Sequence, residues 1–328
     1  MNYDEAFSAF TSLFNHEMSD AEMREFLISM KLDANTQVEA LAAAATVMRS
    51  NAIALPVSEE LRPKLLDVVG TGGDKIGSFN ISSTVSLLCA SMGSYVAKHG
   101  SRSITSKSGS ADMFESLGVR LDLNIEQSAK MLEESGFTFM FAQNHHPAMK
   151  FIMPVRKSIS EKTIFNVLGP LTNPAGVEKI MLGVFDKAFV PKIAQALQIN
   201  NVKSAMVVSS RERMDEISIS DISYAARVTE SGITEYEIDP TSYGIKKQPL
   251  AAIVGGDADE NAQILHNIFN NRATDAQRDI VMINAANAFI VDGKARDIQD
   301  GLEIAKEALL GGKAKAKLEQ IIQVSKKL

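Results

Sequence analysis

Cysteine is nearly absent from this 328-residue chain, with Cys89 the one example. A lone thiol closes no intrachain disulfide and builds no cysteine-based zinc site. Cys89 lies in the apolar stretch Val85–Ala90 and reads as a small core residue rather than a nucleophile. A surplus of basic charge is missing too. Lys plus Arg number 34 against 40 Asp plus Glu, a net charge of −6. General nucleic-acid binding rests on the opposite balance, although a local basic pocket is still allowed. No apolar run approaches the roughly 18 residues that span a bilayer. Met1–Glu5 show neither a basic nor an apolar leader pattern, so no secretory signal is expected there. Together with the single cysteine, these features predict a cytoplasmic protein without nucleic-acid or membrane partners.

What is present is ordinary for a globular protein: 45% hydrophobic and 23% charged residues. That excludes disorder and fibrous repeats, and the length fits about two domains at roughly 150 residues each. Phe7, Phe10, Leu13 and Phe14 recur at helical spacing. Ser19 with Glu22, and Thr36 with Glu39, have the spacing of capping boxes that open a second and a third helix. Pro56 and the polar residues after it end the third. Beyond residue 64, short β-rich runs (Leu65–Val69, Tyr95–Lys98, Phe137–Phe141, Ile180–Phe185, Ser204–Val208) alternate with helical ones. That alternation predicts an α/β fold: a small helical domain over 1–64, then a larger domain over 65–328 with a central, mostly parallel sheet. The last 70 residues or so read as helices again.

Five segments carry chemistry. Asp67–Asp74 runs from a strand into the turn Gly70-Thr71-Gly72-Gly73. Glycines let backbone N–H groups approach an anion, and a helix N-terminus follows to add its partial positive charge. The turn is neither a dinucleotide fingerprint, which needs glycine where Lys75 stands, nor a P-loop, which needs Gly-Lys-Ser/Thr. Ser78–Thr84 supplies an amide and hydroxyls that can cap a helix, bind phosphate or ligate Mg2+. Lys98–Ser110 packs three cations, one histidine, two glycines and six hydroxyl side chains into 13 residues. It begins at the C-terminal end of a predicted strand, where open α/β sheets bind ligands. His145-His146 invites a metal reading, but side chains adjacent on a helix diverge by about 100° and no further ligand completes a set. Arg156 is a candidate partner for a substrate carboxylate. Asp215-Glu216, following an apolar strand, has the pattern of an Mg2+ site and equally that of a solvated loop.

In this order the segments resemble the anthranilate phosphoribosyltransferase family. The resemblance spans nearly the whole chain and also includes Thr163–Pro174 and Met214–Ser218. It implies a helical domain joined by helices from about 145–175, a homodimer built through those helices, and a pentosyltransferase that uses Mg2+-bound PRPP, with two ions per subunit. Such an enzyme moves the phosphoribosyl group of PRPP to the amine of anthranilate with release of pyrophosphate, the second step from chorismate to tryptophan. Residue by residue, the implied PRPP positions are Gly70, Gly73, Asp74, Ser78, Asn80, Ile81, Ser82, Ser83, Lys98, His99, Gly100, Ser101, Arg102, Ser106 and Ser110. The implied anthranilate positions are Gly70, His99, Ser101, Ser110, His146 and Arg156. The implied magnesium positions are Ser82, Asp215 and Glu216. Ser101 departs from the pattern, because the family usually has Asn after Lys-His-Gly, and serine is shorter while keeping a donor and an acceptor.

The amine of anthranilate is weakly basic and needs no strong base, so no residue is assigned as a catalytic acid or base. Three other readings stay open. A pyrimidine nucleoside phosphorylase shares the architecture, but the acidic pair and the His146–Arg156 spacing favour the PRPP enzyme. A noncatalytic nucleic-acid-binding relative would be expected to have a basic surface. A stand-alone binding module has no need of the polyanion loops.

Overall fold

The computed structural model describes residues 1–103 and 107–328. Helices α1 (Tyr3–Phe14), α2 (Asp20–Ser29) and α3 (Val38–Ser50) open the chain. Ser19 caps α2 as its spacing predicts: its side chain accepts from the Glu22 N–H, and the Glu22 carboxylate accepts from the Ser19 N–H. Thr36 does not repeat the motif. Its hydroxyl accepts the Asp33 N–H at 2.8 Å, so it is committed to the preceding turn. α3 starts after Gln37 with no side-chain cap and ends well before Pro56, at Ser50.

Strands and helices then alternate: β1 (Leu65–Gly70), α4 (Ile81–Ser91), β2 (Tyr95–Gly100), α5 (Ser110–Ser116), α6 (Ile125–Ser135) and β3 (Phe137–Phe141). The short helices α7 (Ala142–His145), α8 (Met149–Lys157) and α9 (Phe165–Leu168) lead back to β4 (Lys179–Gly183), α10 (Val190–Ile199) and β5 (Ser204–Ser210). β6 (Ser223–Thr229) and β7 (Gly232–Ile238) precede α11 (Ala258–Phe269), α12 (Asp275–Asp292), α13 (Ile298–Leu310) and α14 (Lys313–Lys327).

One sheet has the order β3-β2-β1-β4-β5-β6-β7. The pairs among β1 to β5 are parallel, while β6 and β7 add an antiparallel edge. The parallel part is the sheet expected from the sequence, and the edge pair is an addition. β7 carries Glu235 and Glu237 on its outer strand, which suits an edge that must not pair further and dilutes the apolar signal.

Period-two alternation splits the core. Val68, Met181, Met206 and Val208 face a cluster completed by α4 and α11 to α14. Ile180, Leu182, Ala205 and Val207 face a second cluster completed by α1, α3, α8 and α10. The helical N-terminal segment therefore packs against one face of the sheet through α10. The carboxyl ends of β1, β2, β4 and β5 lie side by side at one rim.

Candidate active site

β1 and β4 end on a facing pair, Gly70 opposite Gly183. Both make room for the loop after β5. A Cβ on Gly70 would stand 2.3 Å from Asp215 Oδ2, and one on Gly183 would stand 1.6 Å from the Asp215 carbonyl oxygen. Sequence reasoning does not single out Gly183, which sits in no motif. Its one signal is its position at the end of a parallel strand.

After Gly70 the Thr71 N–H donates to the Gly183 carbonyl at 3.0 Å. The backbone is left-handed at Gly72 (φ 67°), Gly73 (φ 76°) and Lys75 (φ 63°). The Gly72 N–H donates to Asp215 Oδ2 at 2.7 Å. Among the described residues, the N–H groups of Gly73, Asp74 and Lys75 meet no acceptor, the arrangement of an anion cradle. α4 starts just beyond, at Ile81, and its Ser82 N–H donates to Glu216 Oε1 at 3.0 Å. The acidic loop is pinned from behind by Asn284 of α12, which is fully buried. Asn284 Oδ1 accepts the Ile217 N–H at 2.9 Å, and its Nδ2 donates to the Ile217 carbonyl at 2.9 Å.

Lys98 of β2 is 1% exposed, and its Nζ donates to the Val68 carbonyl at 2.6 Å. Burial pulls the ammonium pKa down, while Asp67, Glu216 and Asp215 pull it up. Burial also pushes Asp67 up to about 6 against the pull of Lys98. Asn173 Nδ2 bridges Asp67 Oδ2 at 2.7 Å and the Ala97 carbonyl at 2.8 Å, locking β1 to β2 beside the lysine.

The hydroxyl-rich loop folds back on α4. Asn80 Nδ2 donates to the Ser108 carbonyl at 3.4 Å, and Ser83 Oγ donates to Ser110 Oγ at 3.0 Å. Asn261 of α11, 2% exposed, holds Asn80 by donating to its Oδ1 at 2.8 Å while accepting the Gly256 N–H at 2.9 Å. Ser78 bridges to Val254. The Arg102 guanidinium is engaged by Asp112 and Glu115 of α5, and Ser101 Oγ donates to the Arg102 carbonyl at 3.0 Å. Ser106 lies outside the described residues. Asn261 and Asn284 escape sequence reasoning because each is one of three amides in its helix, with nothing local to set it apart, and lies far along the chain from the loop it holds.

The two neighbouring histidines diverge. The His146 ring centroid lies 5.1 Å from that of His99, whereas His145 Nδ1 is 2.7 Å from the Ile53 carbonyl and lines a separate cavity of about 380 Å3 with Leu121, Asn124 and Phe141. Burial, followed by the charge of His146, holds His99 down to about 3. Burial and His145 hold His146 down to about 4. Both rings are therefore neutral at pH 7. His99 Nε2 and both His146 nitrogens have no partner among the described residues. Arg156 of α8 stands 5.8 Å over the Phe165 ring and directs Nη1 at Met153 Sδ, 3.8 Å away. Burial lowers its pKa with no carboxylate opposing it, the state of a cation that lacks its counter-ion.

The carboxylates sit in the opposite condition. Half-buried Asp215 is pushed up to about 7 by burial and then by Asp74. Glu216 is pushed well above the usual range by burial and then by Asp215. Asp74 Oδ2 is buried without a partner among the described residues. Crowded carboxylate oxygens that form no ion pair among the described residues are the donors that Mg2+ takes. Among the described residues no three His, Cys, Asp or Glu side chains cluster closely enough to hold a metal by themselves. That suits an ion which draws its other ligands from water and substrate oxygens.

A family described as "Glycosyl transferase family, a/b domain" matches residues 62–315, and the chain belongs to that family. Within it, the chain groups with the anthranilate phosphoribosyltransferases. The enzyme of that name from Xanthobacter autotrophicus is 41% identical over 325 residues, covering 99% of this chain and 93% of the relative. The crystal structure of anthranilate phosphoribosyltransferase from Thermus thermophilus superposes with a TM-score of 0.92 at 34% identity, covering 99% of this chain and 96% of the other. The enzyme from Saccharomyces cerevisiae in complex with PRPP and Mg superposes with a TM-score of 0.86 at 25% identity, covering 99% and 93%.

Proposed function

We propose that this chain transfers the phosphoribosyl group of PRPP to the amine of anthranilate and releases pyrophosphate, the second step from chorismate in tryptophan biosynthesis. The observation that carries this reading is the buried ammonium of Lys98 at the same rim as Asp215, Glu216 and the N–H groups of the glycine turn, which meet no acceptor among the described residues. The successive residues Lys98 and His99 leave opposite faces of β2. That separates a polyanion side from a side with His146 that receives the aromatic acid.

PRPP is assigned to Gly70, Gly73, Asp74, Ser78, Asn80 to Ser83, Lys98 to Arg102, Ser106 and Ser110. Departure of pyrophosphate leaves positive charge on the ribose and negative charge on the leaving group, which Lys98 offsets from a fixed position. Ser82, Asp215 and Glu216 would hold Mg2+, two ions per subunit. When bound, the metal supplies further charge neutralisation of the phosphate oxygens. Arg156, which has no carboxylate partner among the described residues, takes the carboxylate of anthranilate. Neutral His99 and His146, with Ser101 and Ser110, line its seat. The amine reacts unprotonated, so much of the rate comes from holding the two substrates together.

Residues 1–64 with the helices from about 145–175 form the dimerisation unit of a cytoplasmic homodimer. Phe7, Ile28 and Phe151, 39%, 39% and 57% exposed on α1, α2 and α8, support a covered apolar face there. Anthranilate fluorescence tests the activity. It should decay when PRPP and Mg2+ are both present, and a constant signal would overturn the reading.

A further inference from the structure

Lys162 belongs by its backbone to the helical region and by its ammonium to the sheet. Its carbonyl accepts the Leu32 N–H at 2.8 Å, and the Ile164 N–H donates to the Met30 carbonyl at 3.0 Å, around a bridge between Lys31 and Thr163. From that anchor the side chain crosses to the rim. Nζ stands 3.4 Å from the centroid of Phe185, in the segment after β4. It also lies 3.9 Å from where a Cβ on Gly73 would be, so it overhangs the glycine turn.

A lysine this exposed would ordinarily extend into water or pair with an acid. Lys162 makes no ion pair among the described residues. Asp186, an acid within its field, is engaged by Arg213. Burial, Arg213 and Lys75 all pull its pKa down, with only Asp186 and Asp74 opposing. Lys162 and Lys75, with Arg213 close enough to act on Lys162, thus gather at a turn whose N–H groups at Gly73, Asp74 and Lys75 have no acceptor among the described residues. Like charges gathered around vacant donors mark the seat of a polyanion.

We propose that Lys162 contacts the pyrophosphate group of PRPP from the helical side of the cleft, so that the bound phosphates tie the helical region to the glycine turn. This rests on the PRPP reading above. The stack on Phe185 holds the ammonium in place before the ligand arrives, which limits the entropy lost on binding.

The test compares wild type with Lys162→Gln and Lys162→Arg. Lys162→Gln should raise the PRPP KM roughly tenfold, the scale of one charged hydrogen bond, and leave the anthranilate KM unchanged. Calorimetric titration with inorganic pyrophosphate and Mg2+, without anthranilate, should show the same weakening, and Lys162→Arg should restore most of it. The exposed side chain carries no core, so circular dichroism should match wild type. An unchanged PRPP KM with unchanged pyrophosphate binding, or equal rises in both KM values, would overturn the contact. If wild type itself left anthranilate unconsumed, the PRPP reading would fall, and the pyrophosphate titration alone would decide the role of Lys162.

Discussion

Asn284 grips Ile217 by both of its backbone groups, at 2.9 Å each, one residue beyond Glu216. The amide thereby sets the direction in which the acidic pair leaves the core. Asn284→Ala strands a buried N–H and a buried carbonyl, at about 1–3 kcal/mol each. Melting should shift down by several degrees. In the protein that remains folded, the Mg2+ concentration for half-maximal rate should rise while the anthranilate KM holds. A variant with wild-type Mg2+ dependence would reduce Asn284 to a core residue.

Gly183→Ala and Gly72→Ala separate two uses of glycine. At Gly183 the new methyl meets the Asp215 carbonyl oxygen at 1.6 Å. A backbone atom cannot swing aside, so the acidic loop must move and turnover should collapse. At Gly72 nothing lies within 4 Å, and only its φ of 67° resists, at roughly 1–2 kcal/mol. The expected order in kcat/KM is wild type, Gly72→Ala, then Gly183→Ala far below. The reverse order would contradict the packing argument.

Asp215 should couple stability to pH. In the folded, metal-free protein it holds its proton to about 7, against 3.8 as its ordinary value. Between those values the folded chain binds more protons than the unfolded one, so stability falls as pH rises. Asp215→Asn lacks this coupling. In EDTA its Tm relative to wild type should climb from pH 4 to pH 7 and level off above. Mg2+ should raise the Tm of wild type at pH 8 and leave that of the Asp215→Asn, Glu216→Gln double variant unmoved. The double variant should also lose most of its kcat, with excess Mg2+ recovering only part. A Tm difference independent of pH would refute the coupling.

Arg156→Ala should act on one substrate. Losing a charge-assisted pair with a carboxylate raises KM by ~10-fold or more, so the anthranilate KM should rise well beyond the PRPP KM. Steady-state kinetics with each substrate varied in turn distinguishes this from a general loosening of α8, which would raise both constants together.

Local signals carried much of the fold. Ser19 and Glu22 announce α2 because capping needs only residues three apart. The parallel strands announce themselves as short apolar runs because both of their faces are buried. Thr36 shows the limit of such reasoning: its spacing to Glu39 is right, but Asp33 takes the hydroxyl first. β6 and β7 lack a comparable run: Tyr224 and Arg227 interrupt β6 with half-buried polar side chains, and β7, the outer strand, exposes Thr234 and Glu235.

The sequence by itself determined the chemical inventory: a glycine turn, a loop of hydroxyls and cations, an acidic pair, a paired histidine motif and one candidate carboxylate-binding arginine, each contiguous and so visible. Tertiary structure decided which of them meet. It turned His146 to His99 and His145 to Ile53, although the two are neighbours in the chain. It brought Gly183, Asn261, Asn284 and Lys162 to motifs up to 181 residues away, as between Asn261 and Asn80. Those four residues share one reason for their silence. A glycine makes room, an amide bridges two polar groups and a lysine spans a gap only in relation to a partner, and the packing of helices and loops on the sheet sets that partner beside them.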